Sequence, residues 1–221
     1  DISHLTHSVM KDLISEIKTI PNFKEAFEIA QHNCSGPVWL VGGKVYRFLT
    51  AKIHRLDIDF NSCDFDFLTT ETNRKPGIPE HHKTSQTVVY ASDSYGGTTS
   101  SVVLNNPYLM EKGPAFFKFI RDKPKLSVDI LNLHKIHGKK VGLLSYFKNV
   151  PLSVQSIAVD FDEDLILGDV GIRSILDRRI FVNNKETAER TARKKQQSVF
   201  EYGKAKATQL GFNFEFKSIY S

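Results

Sequence analysis

Cysteine is scarce: the 221 residues hold only Cys34 and Cys63. Two thiols make no disulfide framework, so the fold must rest on a packed core, and a cytoplasmic location is expected. No apolar run approaches the roughly 20 residues that a membrane-spanning helix needs, so no membrane partner is expected. The first residues, Asp1-Ile2-Ser3-His4, are polar where a secretory signal would turn apolar. No internal repeat or low-complexity tract is visible. Neither sign of charge dominates, and the net +5 fits an anionic ligand or nucleic acid only weakly. Apolar residues are plentiful, at 40% with 16 phenylalanines, which is enough for one large domain or a domain with a small appendage.

Two stretches organise what is there. The first is Val38-Trp39-Leu40-Val41-Gly42-Gly43-Lys44-Val45-Tyr46-Arg47-Phe48-Leu49, an apolar run entering a Gly-Gly turn and leaving as an amphipathic segment. Such a turn lets backbone N–H groups approach a phosphate at the start of a helix. Lys44 and Arg47, about one turn on, either reach that phosphate or lie on exposed helix surface. The second stretch is Cys63-Asp64-Phe65-Asp66-Phe67-Leu68-Thr69. Residues two apart in a strand share a face, so Asp64 and Asp66 project together with Phe65 and Phe67 behind them. Paired carboxylates repel unless a cation lies between them, and oxygen-only ligation suits Mg²⁺ or Mn²⁺. Asp129, in Ser127-Val128-Asp129-Ile130, supplies a third carboxylate from a later strand. Asp57 and Asp59 repeat the pattern nearer the glycines. Asp64/Asp66 is preferred because its apolar residues continue into Leu68, whereas Asp59 runs into Asn61-Ser62.

The periodicity predicts helices over 8–20, from an Asn22 cap through Phe23, Ala26, Phe27 and Ile29, and over Lys44–Ile53. Strands are expected at Val38–Val41, Leu56–Phe60, Phe65–Thr69 and Lys125–Leu131. A further pair, Gln86–Tyr90 and Thr98–Leu104, flanks a turn at Asp93–Gly97. Residues 71–85 read as a loop, and His81 and His82 as solvated loop histidines; with His134 and His137 they lack a carboxylate or Cys at metal-ligand spacing. Tyr95–Ser100 reads as a hairpin turn, with a second phosphate loop as the alternative. Asn105–Pro114 reads as irregular and Ala115–Ile120 as a short apolar turn. Farther on come a helix at Val141–Phe147, apolar runs Val154–Asp160 and Leu165–Leu167, a helix at Asp169–Asp177 and a strand at Arg179–Val182. One long basic helix is expected from Asn183 or Asn184 to Leu210, carrying Lys185, Arg190, Arg193, Lys194, Lys195, Lys204 and Lys206. It is either a solvated face or a surface for an RNA backbone. Residues 1–140 are expected to form one domain and 141–221 a mostly helical second part.

With its Gly42–Leu49 and Asp64–Phe67 motifs the chain resembles the polymerase-β-type nucleotidyltransferase superfamily, above all the head domain of tRNA nucleotidyltransferases and poly(A) polymerases. Pro151–Asp160, Ile166-Leu167-Gly168 and Gly171-Ile172 are similar to that family's stretch after the catalytic sheet, so the resemblance covers residues 36–185. It implies an α/β fold, a small mixed sheet flanked by helices and followed by a helical C-terminal part. The implied activity is metal-dependent transfer of a nucleoside monophosphate from a nucleoside triphosphate to an acceptor hydroxyl, such as an RNA 3′ end, with release of pyrophosphate. Carried over by position, Gly42 and Gly43 bind triphosphate, and Asp64, Asp66 and Asp129 are the catalytic, Mg²⁺-binding acids.

The chain departs from the family at two places. Tyr46-Arg47 stands where the family carries Arg-Asp, and Asn149-Val150-Pro151 stands where it carries two arginines and an aspartate. CCA-adding members of the family continue into further helical domains that grip tRNA, whereas this sequence ends soon after the match. An isolated head domain with a different acceptor, RNA, small metabolite or protein, is therefore expected, with room for a protein partner that holds it. The alternative is a catalytically inactive nucleotide- or RNA-binding protein of the same fold.

Overall fold

A computed structural model describes residues 5–74, 76–82, 87–92, 102–103, 114–137 and 142–220. In chain order the helices are α1 (His7–Ile17), α2 (Phe23–Asn33), α3 (Gly43–His54), α4 (Leu133–His137), α5 (Leu143–Asn149), α6 (Asp169–Asp177), α7 (Lys185–Lys194) and α8 (Val199–Leu210). The strands are β1 (Trp39–Val41), β2 (Phe65–Thr69), β3 (Thr87–Ser92), β4 (Val102–Val103), β5 (Phe116–Arg121), β6 (Leu126–Asn132), β7 (Ala158–Asp160), β8 (Leu165–Leu167), β9 (Arg179–Asn184) and β10 (Asn213–Tyr220). The chain is thus mixed α/β. It divides into two compact units whose segments alternate in sequence: Asp1–Ser15, Val41–Ser62 and Leu143–Ser221 make one, Glu16–Leu40 and Cys63–Gly142 the other.

In the second unit the strand order is β4-β3-β5-β6-β2, continued by Trp39 and Leu40 of β1. β2 and β6 are parallel, while β6–β5 and β5–β3 are antiparallel. The two-residue alternation sends Phe65, Phe67, Val128, Ile130, Phe117 and Phe119 into the core, each nearly or fully buried. The helix α2 covers that face. Phe23 stacks on Phe27 at 5.5 Å, Phe23 lies 6.4 Å from Phe65, and Phe27 lies 6.0 Å from Phe67. Fully burying one such ring contributes about 1.5–3 kcal/mol. Asn33, at the end of α2, holds the loop after β2: its Nδ2 donates to the Gly77 carbonyl at 2.8 Å, and its Oδ1 accepts from the Gly77 N–H at 2.8 Å.

In the first unit β7 and β8 form an antiparallel hairpin. Asp160 Oδ1 accepts from the N–H groups of Asp162 and Glu163 in its acidic turn. β9 and β10 are parallel with an irregularity between Glu215 and Ser218. Parallel neighbours need a crossover, which α7 and α8 supply. Gly171, in the first turn of α6, lies hard against the chain before β7. A Cβ there would lie 2.3 Å from the Ser156 carbonyl oxygen, which accepts the Gly171 N–H at 3.1 Å.

Several expectations are corrected. Leu56–Phe60 is irregular rather than a strand, because Asp59 folds the chain into a turn by accepting from the N–H groups of Asn61 and Ser62. Ala115–Ile120 is no turn; most of it is β5, paired on both sides. Asn22 takes the left-handed conformation (φ 68°) and makes no side-chain cap to α2. The long basic helix is two. Gln196 turns left-handed (φ 55°), and Ser198 with Glu201 forms a capping box that starts α8 afresh. After Gly211 the chain enters β10, which the sequence reading lacked. The readings for Asp1–His4, Asp93–Gly97, Tyr95–Ser100, most of Thr98–Leu104 and Asn105–Gly113 lie outside the described residues.

Candidate active site

Three neighbouring strands of the second unit place charges in one row. The parallel register sets Asp66 of β2 beside Asp129 of β6, and the antiparallel register sets Asp129 beside Lys118 of β5. Asp64, two residues before Asp66, lies just ahead of β2. With Phe65 and Phe67 turned to α2, the even-numbered aspartates take the opposite face, as period two requires. The structure therefore brings Asp64, Asp66 and Asp129 together, and adds a lysine that the sequence reading missed.

Lys118 Nζ donates to Asp129 Oδ1 at 3.0 Å and to Asp64 Oδ2 at 3.4 Å. Burial pulls the Lys118 ammonium down, but the Asp129 and Asp64 carboxylates outweigh it and hold its pKa above the usual lysine value. Asp66 is pushed well above the ordinary carboxylate range, first by burial and then by the charges of Asp129 and Asp64. Asp129 is also raised by burial, against the opposing pull of Lys118. The cluster thus holds more negative charge than its one lysine compensates.

That surplus, on an all-oxygen donor set, fits a hard divalent cation, and Asp64, Asp66 and Asp129 are the residues that would hold it. Lys118 marks where positive charge settles among them. The cage is open. Among the described residues, the group of three whose ligand atoms all lie within 4.8 Å of one another is Glu28, His81 and His82, not the aspartates. The rival pair stands differently. Asp59 serves its turn, and its pKa is lowered by the Ser62 hydroxyl, then by the Asn61 and Ser62 N–H groups and the Arg47 charge.

In the first unit Gly42 has φ 77° and ψ −160°, a backbone shape that side chains oppose, and it caps the start of α3. Its carbonyl accepts from the N–H groups of Val45 and Tyr46. Gly43 is buried as the first residue of α3. Lys44, an expected phosphate ligand, is only 2% exposed, and its ammonium donates to the carbonyls of Phe60 at 3.0 Å and Asn61 at 2.9 Å. It ties α3 to the segment that follows. Arg47 is half-buried, and its Nε is buried with no hydrogen-bond partner among the described residues.

Tyr46 takes part in a cluster the sequence did not announce. Lys206 Nζ donates to its hydroxyl at 2.8 Å and lies 5.2 Å from its ring centre. A cavity of about 530 Å³ opens alongside, lined by Gln155, Lys195, Gln197, Tyr202, Lys206 and Gln209. Burial pushes the Tyr202 hydroxyl up to about 12, so it stays protonated at neutral pH. Lys185, Arg190, Arg193, Lys194, Lys195 and Lys204 are exposed, with Arg190 paired to Glu186 at 4.0 Å.

No protein-family model matches the chain, and no curated protein matches it. Solved structures do. A CCA-adding enzyme in complex with ATP is similar with a TM-score of 0.51 at 12% identity, over 92% of this chain and 41% of that one. A tRNA-processing enzyme with CTP is similar at TM-score 0.49 and 15% identity, over 86% of this chain and 43% of that one. The Bacillus stearothermophilus CCA-adding enzyme in complex with CTP follows at TM-score 0.46 and 17% identity, over 88% and 41%. The chain spans well under half the length of these proteins. In its fold it is similar to a CCA-adding enzyme, as its resemblance to the polymerase-β-type nucleotidyltransferases implies.

Proposed function

We propose that the chain is a metal-dependent nucleotidyltransferase that moves a nucleoside monophosphate from a nucleoside triphosphate to an acceptor hydroxyl and releases pyrophosphate. The observation that carries this reading is the Asp66–Asp129 register with Asp64 alongside, a carboxylate row on a fold similar to that of an ATP-bound CCA-adding enzyme. Mg²⁺ or Mn²⁺ held by Asp64, Asp66 and Asp129 would supply Lewis-acid activation of a phosphoryl group. Asp129 would orient a second metal ion or accept the proton of the attacking hydroxyl. Lys118 orients Asp129 and Asp64. Gly42 and Gly43, at the positive end of α3, bind triphosphate oxygens through backbone N–H groups. The exposed basic residues of α7 favour a polyanionic acceptor, an RNA 3′ end, over a small neutral metabolite.

The test is pyrophosphate release from each of the four nucleoside triphosphates with Mg²⁺ or Mn²⁺, with and without RNA. Release should vanish in Asp64→Ala/Asp66→Ala; turnover that survives the double change overturns the proposal.

A second reading has its own observation. Lys118 already lies on Asp129 and Asp64 as a built-in cation, an arrangement that suits a binding protein that keeps the fold and dispenses with the metal. Lys118→Met separates the two. A non-catalytic protein would gain divalent-cation binding on losing its built-in cation, with no pyrophosphate release by either form. An enzyme would show release in the wild type and a slower rate in the variant, whose carboxylates have lost their orienting partner.

A further inference from the structure

A second cluster of ligand-bearing side chains lies in the same unit as the aspartates but on different elements. His81 and His82, in the 3₁₀ turn Glu80–His82, both point their Nε2 atoms at Glu28 of α2. The distances to Glu28 Oε2 are 3.1 Å from His81 and 2.6 Å from His82. His82 has a second acidic neighbour: its Nδ1 lies 3.4 Å from Glu25 Oε1. Glu25 is fixed in turn by Arg121, which is buried and whose Nε donates to the Pro124 carbonyl at 2.8 Å.

This geometry poses a problem of proton count. A neutral imidazole has one N–H and one lone pair, yet carboxylate oxygens face both nitrogens of His82. With Nδ1–H directed to Glu25, the Nε2 lone pair points at the Glu28 carboxylate. An ion bound jointly by that lone pair and the Glu28 carboxylate would resolve the conflict, with the 2.6 Å pair opening to ligand spacing around it. His81 brings a second Nε2 to the same place, and the Arg121–Glu25–His82 chain is the outer-sphere arrangement that fixes the tautomer and orientation of a metal-binding histidine.

We propose that Glu28, His81 and His82 form a binding site for a divalent metal ion of the Zn²⁺ class, separate from the aspartate cluster. Two imidazole nitrogens and one carboxylate oxygen, all within 4.8 Å of one another, match the donor set of a four-coordinate Zn²⁺ or Co²⁺ site. Mg²⁺ prefers oxygen alone and belongs with the aspartates. The fourth position falls to water, because the His81 side chain is 68% exposed. The ion acts as a clip. It fastens the turn carrying the histidines to α2, about a turn and a half before Asn33, which already pins the same loop at Gly77.

The experiment is a Co²⁺ titration of the chelator-treated full chain in excess Mg²⁺, read by visible d–d absorption, with Zn²⁺ calorimetry in parallel. Excess Mg²⁺ covers oxygen-only sites, and nitrogen ligation sets the Co²⁺ spectrum apart from carboxylate ligation. One equivalent should bind. Affinity should fall by more than about tenfold, the loss typical of even an outer-sphere partner, in both His81→Asn and Glu28→Gln. The exposed His81 can be changed without disturbing the core. The proposal is overturned if wild type binds neither ion, which leaves His82 an imidazolium between two glutamates, or if His81→Asn binds as tightly as wild type. Neither outcome bears on pyrophosphate release.

Discussion

Asp66 and Asp129 are direct register partners on adjacent parallel strands, so two carboxylates share one step of the sheet. Like charges in that position destabilise a sheet, and Lys118 on the far side of Asp129 answers only part of the repulsion. The site therefore stores unfavourable electrostatics that a bound cation would relieve.

The pH dependence follows from the direction of the Asp66 shift. A carboxyl raised in the folded state binds its proton more tightly folded than unfolded. Its favourable contribution is complete below the ordinary carboxylate value, about pH 4, and is lost as pH climbs to the raised value. Asp66→Asn should therefore be more stable than wild type at neutral pH without divalent ions. The advantage should fade on acidification toward about pH 4. Urea unfolding across that range checks the sign; an Asp66→Asn variant less stable than wild type at neutral pH would refute it.

Lys44 makes a different kind of test. Its ammonium is buried on two carbonyls, so Lys44→Met leaves those acceptors without a donor and should cost about 1–3 kcal/mol of stability. Nucleotide affinity measured on the folded fraction should stay within a factor of two or so, since such a change is well below the 1.4 kcal/mol that a tenfold loss requires. Thermal unfolding and equilibrium nucleotide binding on one sample separate the roles. A stable variant with weakened binding would restore Lys44 as a phosphate ligand.

Burial pushes the Cys34 thiol up to about 12, against a small opposing hydrogen bond with Thr69. The thiolate is the reactive form. Cys34 should resist iodoacetamide at neutral pH in the native chain and react once the chain is unfolded, as peptide mapping would show. Rapid native labelling at Cys34 would contradict its placement.

The parts of the site legible in the sequence were those written in local pattern. Asp64-Phe65-Asp66-Phe67 carries its own period-two instruction, and Phe23 and Phe27 receive the apolar side as that pattern demands. Gly42-Gly43 likewise announces a backbone that side chains oppose. What was not legible depends on pairing at a distance. Phe116–Arg121 reads as an apolar run with a stray lysine, and only its register against β6 gives Lys118 a carboxylate to face. Glu28 meets His81 and His82 across more than fifty residues, with no spacing to reveal it. The break between α7 and α8 contains neither Gly nor Pro. Its signal was the capping pair Ser198 and Glu201, which the basic run on both sides obscured.

The alternation of the two units along the chain bears on how a ribosome can deliver them. Helix α3 finishes by residue 54, yet His54 Nε2 donates to the Ile175 carbonyl and Tyr46 meets Lys206. These partners emerge more than a hundred residues later. Closing such long loops comes late and slowly. During synthesis the glycine-capped helix must therefore wait for these partners until residues 175 and 206 have left the exit tunnel. A nascent chain halted near residue 142 has completed the carboxylate-bearing unit and holds only the opening segments of the other.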